Sequence, residues 1–247
     1  MTLLAAEHLS RRFGGVTALR DVSFAVAAGE VVALIGPNGA GKSTCFNLLS
    51  GQLRPSAGRI RLDGRDITGL DPPSICRRGV GRSFQITATF ASMTVRENVQ
   101  LALLAHHRQI WRFWRPAAAA FRAEAQALLA ELGMDAEADR AAAVLAYGDL
   151  KRLELAVALA GAPRLLLMDE PTAGMAPGER GALMALIRRL AGERGLGVLF
   201  TEHDMDAVFG TADRILVLAR GALIAAARPE EIRADAEVQR VYLGVEG

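Results

Sequence analysis

The chain has 247 residues, 51% of them hydrophobic and 23% charged, a globular composition long enough to bury a large core and too apolar for disorder. Its 29 basic and 27 acidic residues leave a formal charge of +2, so no strong net field points to a nucleic-acid partner or an acidic tail. Two cysteines, Cys45 and Cys76, make no disulfide framework, and the N-terminus lacks the pattern of a secretory signal, which together point to the cytoplasm.

Apolar-rich segments at 2–8 and 16–26 read as strands, the second closing in the Ala27-Ala28-Gly29 turn. The solid apolar run Val31 to Ile35 leads into a glycine-rich loop and then the helical spacing Phe46, Leu48, Leu49. From about 87 to 160 the pattern turns helical, over 94–105, 117–132 and 149–160, and reads as a helical subdomain inserted into a core made of 1–86 and 161–247. Leu165 to Met168 then ends at Asp169-Glu170, and Leu196 to Thr201 ends at Glu202-His203, with a helix over 178–194 between them. Continuous apolar runs suit parallel strands covered on both faces, so the core is expected to be a parallel α/β sheet. Two short strands, Ile215 to Leu218 and Leu223 to Ala226, and a helical segment from Pro229 close the chain as one domain over 1–247. No apolar run reaches the roughly 18 residues of a membrane span, so work at a membrane would need another anchor.

Residues 36–44 (Gly36, Pro37, Asn38, Gly39, Ala40, Gly41, Lys42, Ser43, Thr44) match the G-x-x-x-x-G-K-[ST] pattern of a phosphate-binding loop. Only Lys42 and Lys151 are lysines, so a motif that demands lysine is rarely met here by accident. The loop follows a buried strand and opens a helix, whose N-terminal dipole favours an anion. Lys42 is expected to reach the β and γ phosphates and Ser43 to ligate Mg²⁺. Asp169 and Glu170, at the carboxyl end of a strand, are suited to hold Mg²⁺ through water and to polarise an attacking water. Both segments together specify nucleoside triphosphate binding and hydrolysis.

A third segment, Leu145-Ala146-Tyr147-Gly148-Asp149, sets a glycine at a helix N-terminus and offers a second anion site. The ordered set GPNGAGKST, Gln85 in GRSFQ, LAYGD, LLLMDEP and Glu202-His203-Asp204 resembles the ATP-binding subunit of an ATP-binding cassette (ABC) transporter across essentially the whole chain. The resemblance implies a P-loop NTPase fold: a RecA-like parallel core, an N-terminal antiparallel β subdomain and an inserted helical subdomain. It implies ATP with Mg²⁺, and a head-to-tail homodimer or heterodimer in which each nucleotide meets one subunit's loop and the other's Tyr147-Gly148 turn. Gln85 is then the Mg²⁺ ligand that senses the membrane partner, His203 contacts the γ-phosphate, and Phe13 stacks on adenine. Integral membrane permease subunits and, indirectly, a solute-binding protein are implied partners. The same resemblance implies a place at the cytoplasmic face of the membrane.

Three positions depart from the family pattern, one of them Tyr147, which replaces a glycine of the signature turn. Ala146 removes a serine hydroxyl from the signature turn, and Ala176 stands where many members carry aspartate. LAYG followed by KRLELA, the EHDM segment and the ending PEEIRADAEVQRVYLG resemble the LivG-type ATPases of branched-chain amino acid importers. Amides or urea are alternative cargoes. A nucleotide-binding interaction module with little hydrolysis is the rival reading; a cassette ATPase acting on nucleic acid would carry a tandem cassette or a coiled-coil insertion, and neither is present.

Residues 106–115, HHRQIWRFWR, hold both tryptophans among arginines with no acid, a composition suited either to membrane docking or to covering the subdomain's own core. Cys45 follows Thr44 directly. As a buried hydrophobe it would be inert, whereas in contact with solvent its alkylation would be slowed by ATP.

Overall fold

The computed structural model describes residues 1–83, 89–107 and 120–243. Strands β1 (Thr2–Phe13) and β2 (Val16–Ala27) pair antiparallel across the Gly14-Gly15 turn. β1 runs past the expected end at residue 8 because register shifts let it carry the polar Ser10-Arg11-Arg12 stretch while staying paired. β4 (Ala57–Leu62) lies antiparallel on the other side of β1, and β5 (Arg65–Asp66) completes a sheet of order β2-β1-β4-β5. One face of this sheet buries Leu9, Val22, Phe24, Val26, Ile60 and Leu62.

The second sheet has the order β10-β9-β3-β8-β7-β6 and contains β3 (Val31–Ile35), β6 (Val80–Ser83), β7 (Leu165–Asp169), β8 (Gly197–Thr201), β9 (Arg214–Ala219) and β10 (Ala222–Ala227). Every pairing in it is parallel except that of β10 with β9. Side chains of a strand alternate between faces, and β3 shows the consequence: Val31, Ala33 and Ile35 enter one hydrophobic cluster, Val32 and Leu34 the other. The second cluster includes Phe46, Leu48 and Leu49 of α1 (Lys42–Leu49) and the inner face of the antiparallel sheet. The first takes in α5 (Tyr147–Leu159) and α6 (Pro177–Arg194), then continues into α3 (Val95–His106) and α4 (Arg122–Glu131).

Local chemistry sets the helix ends. Thr94 and Glu97 form a reciprocal capping box at α3, with Glu97 N to Thr94 Oγ1 at 3.2 Å and Thr94 N to Glu97 Oε2 at 2.8 Å. α6 begins at Pro177 and ends at Gly195, whose φ of 62° suits glycine. Short helices α2 (Pro72–Cys76), α7 (Met205–Thr211), α8 (Pro229–Ala234) and α9 (Ala236–Val238) fill the connections. Glu131, at the end of α4, is held on α6: Arg194 Nε donates to Glu131 Oε1 at 2.8 Å and Arg189 Nη2 to Glu131 O at 2.8 Å. Among the described residues of 87–160 no strand element occurs, and α3, α4 and α5 overlap the three helical segments expected, α5 starting two residues earlier.

Cys45 is fully buried in α1, and burial pushes its thiol up to about 12. Iodoacetamide at pH 8 is therefore expected to label exposed Cys76 and leave Cys45 unmodified in the folded chain, with or without ATP. Nucleotide-dependent labelling of Cys45, read by peptide mass spectrometry, would contradict that placement.

Candidate active site

Sheet order brings the site together. β3, β8 and β7 are neighbours, and in a parallel sheet their carboxyl ends share one edge. β3 delivers the phosphate loop to that edge, β7 delivers Asp169 and Glu170, and β8 delivers Glu202 and His203.

The loop needs its glycines for two reasons. Gly36, Gly39 and Gly41 have φ of 153°, 78° and 109°, conformations that cost side-chain-bearing residues strain. At Gly41 an added Cβ would lie 2.6 Å from Ala18 O and 2.8 Å from Leu19 Cδ2, so the β2 backbone passes directly over the loop. Gly41 also starts α1, where no side chain caps the helix and no acid sits in the first turn. Its N-terminal N–H groups and dipole are thus suited to phosphate oxygens. Lys42 Nζ donates to Gly36 O at 2.6 Å and Pro37 O at 3.2 Å, folding its charge back along the loop. Burial lowers the Lys42 pKa, while the nearby carboxylates of Glu170 and Asp169 oppose that shift.

The register pairs Asp169 with Thr201, and Thr201 Oγ1 donates to Asp169 Oδ1 at 2.6 Å. The same hydroxyl accepts from Glu170 N at 3.1 Å. Glu170 has a φ of 51°, an uncommon left-handed conformation for a non-glycine residue, which turns the chain sharply at the strand end. Its Oε1 lies 3.0 Å from His203 Nε2. The next residue anchors His203: Asp204 caps α7 by accepting from Ala207 N at 3.1 Å and accepts from Arg180 Nη1 at 2.6 Å. The Ala207 N–H, then the Arg180 guanidinium, hold the Asp204 carboxyl below the usual range.

Among the described residues no group of three or more His, Cys, Asp or Glu could hold a metal ion. That donor set does not make an all-protein cage. Asp169 and Ser43 offer a carboxylate and a hydroxyl, donors of the kind a hard cation such as Mg²⁺ accepts beside phosphate oxygens.

The structure also places several other expected residues. Tyr147 and Gly148 open α5, and no side chain caps that helix at Ala146. Tyr147 Oη donates to Ala173 O at 2.9 Å, and a Cβ on Gly148 would sit 3.0 Å from Glu179 Oε1, so the signature turn rests on the loop that follows Glu170 and on the first turn of α6. Ala176 starts α6, where Glu179 Oε2 accepts its N–H at 3.3 Å. Phe13 stands half exposed at the tip of the β1–β2 hairpin, with the Arg11 guanidinium 4.5 Å over its ring. Gln85 lies outside the described residues, as do residues 108–115 of the basic aromatic segment. Arg82, part of the GRSFQ segment but given no role by it, is largely buried. Its Nη1 donates to Asn47 Oδ1 and Ser50 Oγ, both at 2.8 Å, and its Nη2 lies 3.8 Å from Asp169 Oδ2. This guanidinium ties α1 to the strand end that carries Asp169.

A family model described as ABC transporter matches residues 19–173. The chain is 42% identical over 254 residues to the high-affinity branched-chain amino acid transport ATP-binding protein BraF of Pseudomonas aeruginosa, covering 98% of each. It is 42% identical over 252 residues to the corresponding protein LivG of Salmonella typhimurium, again covering 98% of each. The solved ADP conformation of an ATP-binding cassette of an ABC transporter superposes with a TM-score of 0.89 at 31% identity, covering 99% of this chain and 100% of that one. With the phosphate loop, paired carboxylates and histidine on one sheet edge, these matches establish that the chain belongs to the ABC transporter family as an ATP-binding subunit, an ATPase with the P-loop cassette fold.

Proposed function

We propose that this chain binds ATP on residues 36–44 and hydrolyses it to drive uptake of branched-chain amino acids through membrane permease subunits. The observation that carries the chemistry is the meeting of Glu170 and His203, 3.0 Å apart, beside Lys42 and the loop. Lys42 and the α1 N-terminus hold the phosphates, Glu170 orients and deprotonates the attacking water, and His203 steadies Glu170 while facing the γ-phosphate. Ser43, Asp169 and Gln85 would hold Mg²⁺, which when bound neutralises charge on the β and γ oxygens. Phe13, half exposed at the tip of the β1–β2 hairpin, stacks on adenine. The core is assigned to 1–86 and 161–247 and the helical subdomain to 87–160.

The working unit is a head-to-tail pair, with itself or a sister ATPase, in which the uncapped N-terminus of α5 at Tyr147 and Gly148 approaches the partner's γ-phosphate. Among the described residues no helix is long and apolar enough to cross a membrane, which fits peripheral attachment at its cytoplasmic face. An apolar groove of about 550 Å³, lined by Ile75, Cys76, Val80, Ala102, Ala105 and Val157, offers the permeases a docking surface. The identity to BraF and LivG supports the cargo. Proteoliposomes holding the subunit, its genomically neighbouring permeases and a solute-binding protein test the whole reading. ATP-dependent leucine, isoleucine or valine uptake is expected. Uptake of amides or urea alone would overturn the cargo, and uptake without ATP consumption would overturn the coupling.

A further inference from the structure

Glu202 is 4% exposed, yet it carries a carboxylate whose two oxygens point to different loops. Oε1 accepts from both the N–H and the hydroxyl of Thr172, each at 2.7 Å. Oε2 accepts from His203 N at 3.1 Å. Thr172, itself 2% exposed, stands two residues after Glu170 in a turn closed by Ala173 N to Glu170 O at 3.1 Å and Met175 N to Thr172 O at 3.1 Å. One buried side chain therefore holds the turn that emerges from Glu170 and the backbone that emerges into His203. The described contacts at this edge form a continuous set: Thr201 fixes Asp169 and the Glu170 N–H, Glu202 fixes Thr172 and the His203 N–H, and His203 reaches Glu170.

Burying a carboxylate is costly unless strong donors surround it, and three N–H or O–H groups do so here. A valine or threonine would fill a strand end more cheaply. What the carboxylate adds is geometry: two acceptors a fixed distance apart, each with its own lone pairs. We infer that Glu202 is a positioning residue for ATP hydrolysis, clamping the Thr172 turn to His203 so that the His203 ring and the Glu170 carboxylate keep their mutual placement. The inference rests on the hydrolytic reading above, and Glu202, 4% exposed, has both carboxylate oxygens engaged by protein donors.

The amide of Glu202→Gln breaks one half of the clamp in either orientation. With its oxygen toward Thr172, its NH₂ faces the His203 N–H donor to donor; flipped, it faces two Thr172 donors. Thr172→Val removes one donor at nearly constant volume, and Thr172→Ser keeps both. Steady-state ATP hydrolysis, ATP binding and thermal unfolding of the full chain with its permeases separate positioning from plain stability. Glu202→Gln and Thr172→Val are expected to lower kcat by about tenfold or more, as misplacement of a reacting group does. KM for ATP should stay within about twofold of the parent, and Thr172→Ser should restore kcat. Because Glu202 acts through His203, adding Glu202→Gln to His203→Ala should cost nothing further.

Parental kcat in both Glu202→Gln and Thr172→Val would overturn the inference. So would a Glu202→Gln loss that repeats at full size in the His203→Ala background, which would mark a structural or separate role. If Glu202→Gln does not fold, Thr172→Val against Thr172→Ser decides alone. A parent chain that releases no phosphate contradicts the hydrolytic reading, whereas a hydrolysing parent with indifferent variants contradicts only the clamp.

Discussion

Glu170→Gln is expected to keep ATP affinity within about threefold of the parent while releasing phosphate at least about 100-fold more slowly, the usual cost of losing a general base. The change removes a charge and a proton acceptor but keeps size and hydrogen-bonding reach. Glu170 is set by backbone, through the Thr201 carbonyl and hydroxyl acting on its N–H, so the amide side chain should take the same position. The groups proposed to bind the phosphates lie in residues 36–44 and are untouched. Binding without cleavage should therefore accumulate the closed pair, seen as an ATP-dependent doubling of mass by light scattering. Near-parental turnover in Glu170→Gln would remove Glu170 from the base role.

Lys42→Ala should show the opposite split, with nucleotide affinity lost before chemistry is reached. Lys42 brings the only lysine ammonium in the phosphate loop, half-buried and folded along the Gly36 and Pro37 carbonyls. A hydrogen bond to a charged group contributes about 1.5–3 kcal/mol, which corresponds to about ten- to a hundredfold in Kd. In the proposed site the β and γ phosphates share this ammonium, so the upper end is expected. Lys42→Arg should not restore binding, because a planar guanidinium is broader than an ammonium and the Gly41 approach to Ala18 leaves the loop little room to adjust. Titration with a fluorescent ATP analogue measures both variants. An affinity within twofold of the parent would show that the N–H groups of the loop and α1 suffice alone.

Much of this was legible in the sequence because the relevant signals are local. Val31 to Ile35 and Leu165 to Met168 are apolar without interruption and Leu196 to Thr201 is mostly so, the mark of strands buried on both faces, and each leads into candidate residues of the site. The glycines, Lys42 and Ser43 sit within nine residues of one another. β4 went unread although Ile60 and Leu62 alternate with Arg59 and Arg61, because a strand with one charged face gives only a short period-two signal. β6 has a single large apolar residue, Val80, and takes its place from pairing with β7.

Tertiary pairings were the illegible part. Glu202 and Thr172 are 30 residues apart, Tyr147 and Ala173 are 26 apart, and Arg82 meets Asn47 across 35. Nothing in a single motif announces such partners. Tyr147 reads as a departure from a glycine in the family pattern, yet its hydroxyl and ring serve to seat the signature turn on Ala173 and Gly174. The Ala146 departure does match the structure's uncapped α5.

One ATP held by residues 36–44 is expected to be cleaved under the control of Glu170 and His203. Single-turnover phosphate release, followed with Mg²⁺ and the subunit in excess over labelled ATP in its reconstituted complex, tests this most directly. The expected result is one inorganic phosphate per bound nucleotide in the parent, slowed strongly by Glu170→Gln and by His203→Ala. Bound ATP that remains intact in the parent would contradict the account and leave a nucleotide-binding module in place of an ATPase.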